Sequence, residues 1–174
     1  ILNSQIRNND AFIEGGGLYQ FGGIGQIEWT SFEQNQGYDF GAGIVAHEAT
    51  MILNQTTFEG NVSGTGSVMT CHGTAVEIAN SILWGNIGDQ FYSSESAGIT
   101  SLEISYSDVE GGENALTNFP NFSFTIGDGI INVDPQFCDP NIFDYSLDEN
   151  SICWTGSNTG GVLGAFESNC GETG

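Results

Sequence analysis

Lysine is absent from this chain, and the single basic residue is Arg7. Nucleic acid is therefore not expected as a partner, and an anionic membrane is a poor one, since both are held by cationic side chains that neutralise phosphate. A polyuronate lyase is argued against as well, because its base is typically Arg or Lys and Arg7 stands alone in a negative field. Proline occurs only three times, so the turns must be made by Gly and Asn. No apolar window of about 20 residues exists, which excludes a membrane-spanning helix. Helical periodicity over ten or more residues is missing too, so helix content should be near zero. None of the four cysteines forms a C-x-x-C pair, which argues against a zinc ribbon. No signal peptide is visible; the chain opens inside a repeat, at Ile1-Leu2-Asn3-Ser4, and reads as a mature or excised fragment.

What is present is acid and glycine. The 22 carboxylates set the formal charge at −21, and 26 of 174 residues are Gly. Such a field favours cations, neutral glycans or simply solubility. The glycine content is low-helix composition and fits tight, repeated turns.

The order in the chain comes from a column of asparagines. Asn9, Asn35, Asn61 and Asn86 close four similar phrases, Ile6-Arg7-Asn8-Asn9, Phe32-Glu33-Gln34-Asn35, Phe58-Glu59-Gly60-Asn61 and Leu83-Trp84-Gly85-Asn86, at steps of 26, 26 and 25 residues. A fifth phrase, Val109-Glu110-Gly111-Gly112, follows 26 residues later with Gly in the Asn place. A fixed period of this size marks a solenoid. Counting back from the column, Ile1, Ile27, Leu53, Ile78 and Ile104 share one apolar position, and Ile6, Phe32, Phe58, Leu83 and Val109 another. Ser4, Thr30, Thr56, Ser81 and Ser107 form a hydroxyl column between them. Alternation of period two over a few residues gives short strands, and glycine clusters at 15–17, 41–43 and 64–66 give the corners between them.

The expected fold is all-β: a right-handed, single-stranded parallel β-helix of about five coils of 25–26 residues with an irregular, disulfide-bearing C-terminal cap. Residues 1–112 form the coils; 113–174 hold an inserted loop (113–131), the last coil and a cap that closes the C-terminal mouth, within the same domain. The Asn column is expected at a corner, its amides bonding to one another and to the next coil, with a structural role. Cys71, Cys138, Cys153 and Cys170 permit three pairings, of which Cys138 with Cys153 is the expectation and buried free thiols the alternative.

Gly-Gly-Gly-Leu at 15–18 and Phe-x-x-Asn at 32–35 and 58–61 resemble the GGx-hydrophobic and FxxN repeats of polymorphic bacterial outer-membrane proteins, and more broadly secreted bacterial β-helix repeat proteins. The resemblance implies the β-helix, an extracellular or cell-surface location and a terminal coil and cap over Val133–Cys153. It implies no particular activity, since the same coil serves lyases, hydrolases, adhesins and fibres.

Four constellations carry possible chemistry. Glu33 and Glu59 share a column one coil apart, and a glycoside hydrolase needs two carboxylates about 5–9.5 Å apart; charge columns also arise from repetition alone. His47 and His72 should stand on adjacent coils, where a third ligand would make a Zn²⁺ or Cu²⁺ site; a plain stack is the default. Asp128, Asp134 and Asp139, with Asp144 and Asp148, crowd the cap and suit Ca²⁺, although neither an EF-hand nor a G-G-x-G-x-D spacing is present and Asx turns explain them equally. Trp29, Gln55, Asn80 and Tyr106 share a column whose aromatics are two coils apart, a broken platform for sugar rings. No cofactor is demanded; calcium is the candidate. The expected function is an extracellular structural or adhesive protein, self-associating end to end in a filament or belonging to a larger parent chain, and more a non-enzyme than an enzyme. The alternative is a glycan-binding or glycoside-hydrolysing module using Glu33 and Glu59.

Overall fold

The computed structural model describes residues 1–94, 98, 100–116, 121–167 and 170. It is an all-β parallel solenoid, and each coil lays down strands on the same faces. The first coil has β1 (Leu2–Arg7), β2 (Asp10–Ala11) and β3 (Leu18–Phe21); the second β4 (Ile24–Glu33), β5 (Gln36–Gly37) and β6 (Ile44–His47). The third has β7 (Thr50–Glu59), β8 (Val62–Ser63) and β9 (Met69–His72); the fourth β10 (Ala75–Ala79), β11 (Ile82–Trp84) and β12 (Phe91–Tyr92). Then come β13 (Thr100–Ser105), β14 (Asp108–Val109), β15 (Phe122–Ile126), and a small antiparallel pair, β16 (Phe137–Asp139) and β17 (Asp144–Leu147).

The main sheet runs β1-β4-β7-β10-β13-β15 in parallel, while the returning face holds only β3-β6-β9-β12. About four turns are therefore complete. Among the described residues the fifth and sixth rungs extend the main sheet, through β13 and β15 and through β14 with its bridge to Ile131. That sixth rung lies inside the stretch expected to be an inserted loop. β15 pairs with β13 in register, Ile126 on Ile104, so the coil shortens to 22 residues but continues. A 3-10 turn at Gly112–Leu116 takes up the slack and drops Leu116 into the core. The period is hidden there because the corner changed, not because pairing stopped.

Inside, the predicted apolar columns stack as one core, Ile27-Leu53-Ile78-Ile104 and Phe32-Phe58-Leu83-Val109. The Phe32 and Phe58 rings lie 4.8 Å apart and nearly parallel. Gly43 abuts this stack: a Cβ there would meet the Val68 carbonyl oxygen at 2.5 Å and the Phe58 ring at 3.0 Å, which is why that corner is glycine.

The asparagine column is a ladder. The backbone N–H and Nδ2 of Asn9 donate to Asn35 Oδ1, those of Asn35 to Asn61 Oδ1, and those of Asn61 to Asn86 Oδ1, at 2.9–3.1 Å. Left-handed backbone lies not at these asparagines but at the position before each of them, Asn8, Gln34, Gly60 and Gly85, and at Gly111 in the fifth phrase. A second left-handed column bends the long strands at Asn3, Trp29, Gln55, Asn80 and Tyr106. A third is Gly22, Glu48 and Gly73. Glu48, exposed with φ 50°, is the one side chain in that column. Left-handed φ costs an L-residue about 1–2 kcal/mol, partly offset by the freedom that glycine regains when unfolded. Glu48→Gly is thus expected to stabilise the protein by about 0.5–1 kcal/mol in urea unfolding.

The tail corrects two expectations. Cys138 is disulfide-bonded to Cys170, with Cα atoms 5.2 Å apart, and not to Cys153. Cys71 and Cys153 are buried free thiols. The 3-10 turn Ile152–Thr155, capped by the Ser151 hydroxyl, carries Cys153 into a second apolar cluster with Ile82, Leu147, Val162 and Leu163, out of reach of Cys138 in β16. Nor does the tail sit over the C-terminal mouth as a plug. It runs back along the flank of the coils, because the outward column Ser31-Thr57-Ile82 and the neighbouring Trp29 and Trp84 are small or apolar and need a cover.

Candidate functional site

The flank under the tail is where the sequence-predicted carboxylates lie. After the left-handed bend, strand residues alternate inward and outward, so Arg7, Glu33, Glu59 and Trp84 form one outward column, in register from coil to coil. The tail crosses the whole column. Phe143, itself left-handed, lays its ring 4.6 Å from the Arg7 guanidinium carbon. Tyr145 donates its hydroxyl to Glu59 Oε2 at 2.5 Å and accepts a long bond from Gln34 Nε2 at 3.4 Å. Farther along, Ala165 N–H donates to Thr57 Oγ1, and Gly164 N–H and Asn158 N–H donate to the carbonyl and Oδ1 of Asn80. At the fifth rung Asp108 accepts from Val133 N–H and from the Cys153 thiol.

Glu33 and Glu59 are thus in register, as predicted, with Glu33 fully covered and Glu59 half-buried. Glu33 has no exposed surface. Its Oε1 accepts from the Ser31 hydroxyl at 2.5 Å, and its Oε2 has no hydrogen-bond partner among the described residues. Burial pushes the Glu33 carboxyl up, against the Ser31 bond and Arg7, with Glu59 adding to the rise. Burial also raises Glu59, against its bond from Tyr145. Tyr145 is raised by burial and by Glu59. The resulting unit is a buried Glu33 beside a half-buried Glu59 under Tyr145, with one Glu33 carboxylate oxygen lacking a partner among the described residues. Chemically it can hold a proton readily, and a sugar ring reaches it only if the tail moves.

The histidines lie on the opposite, returning face. Phe21, His47 and His72 are in register on β3, β6 and β9. The imidazoles are 4.5 Å apart, tilted by 41°. Tyr19 and Phe21 lie against His47 at 5.4 and 6.3 Å, and Tyr92 meets His72 edge-on at 6.4 Å. His72 Nδ1 is engaged by Ser94. His47 Nε2 is 3.8 Å from Glu14 Oε2, beyond hydrogen-bond reach. His72 is held below its ordinary value by burial and by His47, Glu14 acting the other way.

Of the cap aspartates, only Asp139 and Asp144 are paired, as partners across β16 and β17. Asp134, Asp139, Asp144 and Asp148 each accept from the backbone N–H two residues on, in four separate turns. Asp128 offers its carbonyl to Tyr106 N–H. Among the described residues no group of three or more His, Cys, Asp or Glu is arranged to hold a metal. The Trp29-Gln55-Asn80-Tyr106 column is the left-handed bend, and its Trp29 packs under the tail.

No family model, curated protein or solved structure matches the chain. Its functional reading therefore rests on these two flanks, one covered by the tail and one open and ringed.

Proposed function

We propose that the protein is an extracellular, cell-surface structural or adhesive β-solenoid. The observation that carries this is the lengthwise clamping of the coils. The tail contacts rungs from Arg7 to Asp108, while the Asn ladder ties the same coils at another corner. Such a body resists local opening and keeps its remaining faces flat. The Cys138–Cys170 disulfide suits an oxidising, exported setting. The acidic surface suits contact with neutral material and cations. The GGx and FxxN phrases add the resemblance to polymorphic outer-membrane proteins. Head-to-tail association belongs to the same reading, because adding a rung to a main-sheet edge repeats the parallel pairing already used between coils. Antibody labelling of intact cells of the producing organism tests the location: surface staining without permeabilisation is expected, and staining only after permeabilisation would contradict it.

Glycoside hydrolysis at Glu33 and Glu59 is the second reading, supported by the unsatisfied Glu33 Oε2. It requires the Tyr145 lid to lift. Turnover of neutral polysaccharides, lost in Glu33→Gln and Glu59→Gln, would support it; no turnover by the parent protein on any of them would end it.

A further inference from the structure

We propose that the returning face, at Tyr19, Phe21 and His47, binds a neutral polysaccharide chain by ring stacking. The inference rests on the adhesive reading above and names the ligand class for it. On β3 the alternation points Leu18 and Gln20 inward and Tyr19 and Phe21 outward. Phe21 is 69% exposed and Tyr19 48%. Both rings lie against His47, and His47 against His72, so a ring row climbs from coil to coil across the strands. Tyr92 ends the row on the fourth coil. The rungs repeat in register at about 4.8 Å, which suits a linear polymer better than a compact ligand.

The polar atoms within the row narrow the class. His47 Nε2 is shielded from water yet has no hydrogen-bond partner among the described residues. The Glu14 carboxylate faces it across a 3.8 Å gap, too long for a direct bond. One hydroxyl can close that gap, accepting from the imidazole N–H and donating to the carboxylate, at ordinary distances to each. The Glu14 side chain is 30% exposed and can shift to admit it. The ligand sought therefore carries groups that both donate and accept, attached to an apolar face able to lie on an aromatic ring. A pyranose has both: C–H bonds on its faces and hydroxyls around its rim. Charge excludes the anionic members of the class, since the chain carries −21 and its one cation, Arg7, is covered by Phe143 on the other flank.

Co-sedimentation with insoluble neutral polysaccharides (cellulose, β-1,3-glucan, mannan, chitin), with polygalacturonate as the acidic comparison, tests this. The parent protein should be depleted by at least one neutral polymer and not by polygalacturonate. Phe21→Ala and Tyr19→Ala should each weaken binding about tenfold, as loss of one stacked ring implies. Phe12→Ala, which removes a still more exposed ring elsewhere on the first coil, should leave it unchanged. Unaltered melting of the variants confirms that the fold is intact. Binding to no neutral polymer, or equal losses in Phe12→Ala, overturns the proposal. Adhesion to the producing organism's cells separates the two readings. If Phe21→Ala adheres as the parent does, the glycan face is wrong and the adhesive reading stands. If the parent itself fails to adhere, both fall.

Discussion

Replacing Asn61 with alanine is expected to destabilise the protein by about 3–6 kcal/mol, more than any exposed substitution could. Asn61 is fully buried in the middle of the ladder. Its Oδ1 accepts from the backbone and side-chain amides of Asn35, and its Nδ2 donates to the Phe32 carbonyl and to Asn86 Oδ1. Alanine removes the side-chain partner of the Asn35 N–H and the Phe32 carbonyl, and takes one bond each from Asn35 Nδ2 and Asn86 Oδ1, which keep the Ile6 carbonyl and the Asn61 N–H. Each such group costs about 1–3 kcal/mol, and part of the sum is recovered by relaxation. Asn9 lies at the exposed start of the ladder, and its side chain makes one ladder bond, donating to Asn35 Oδ1. Asn9→Ala is therefore expected to cost about 1 kcal/mol or less. Urea unfolding of the two variants measures the difference; equal losses would mean that the ladder does not bear on stability.

Stability is expected to rise as the pH falls from about 7.5 to about 4.5, the reverse of ordinary acid denaturation. Burial pushes Asp108 up to about 6 from an ordinary 3.8, with Asp134 and Glu110 adding to the rise and Val133 N–H and the Cys153 thiol opposing it. A group whose folded pKa is raised binds its proton more tightly in the native state. Its stabilisation is complete below the unfolded value and is lost as pH climbs through the folded one. For Asp108 that window runs from 3.8 to about 6. The gain from this group alone is about 1–2 kcal/mol on reaching pH ~4.5. Glu33 and Glu59 are raised too and act in the same sense above 4.5. His72 opposes them: its folded value is lowered, so it costs stability as pH drops below 6.5. Asp148, held below its ordinary value by the Asn150 amides, opposes them only near the acid end of the range, so the three raised carboxyls leave the net gain. Relief of self-repulsion in a chain of charge −21 adds to it and is separated by repeating the series at high salt. Thermal melting across this range should show a higher midpoint at the acidic end. Asp108→Asn should be more stable than the parent at neutral pH and less sensitive to acid. A midpoint that drops steadily as the pH is lowered from 7.5 to 4.5 would show that these carboxyls are ionised at little cost.

The coil was legible in the sequence because repetition writes each inward position several times over. Phe32, Phe58, Leu83 and Val109 are one structural position sampled four times, and Asn9, Asn35, Asn61 and Asn86 another. The fold, the registers of Glu33 with Glu59 and of His47 with His72, and the ladder all follow from that redundancy. The tail is written once. Nothing periodic links Tyr145 to Glu59, 86 residues away, or Cys153 to Asp108, 45 away. Hence the pairing of Cys138, the position of the cap and the covering of Glu33 were out of reach. One signal was available: Ser31, Thr57 and Ile82 occupy an outward column where solvent-facing strands would carry charge, which marks a covered flank. The sixth rung was missed for a related reason, since β15 keeps its pairing while the 3-10 turn at Gly112–Leu116 shortens the coil.

The lengthwise clamp of the tail on the coils is tested most directly by native-state hydrogen exchange of the backbone amides of Leu163, Gly164 and Ala165. These donate to the Cys153 carbonyl, the Asn80 carbonyl and Thr57 Oγ1. If the tail is part of the cooperative unit, they exchange with protection close to that of the buried coil amides of Phe32 and Phe58, and reduction of Cys138–Cys170 lowers it. Exchange at the rate of an unfolded peptide, while the coil amides remain protected, would contradict the clamp and reopen Glu33 and Glu59 to solvent.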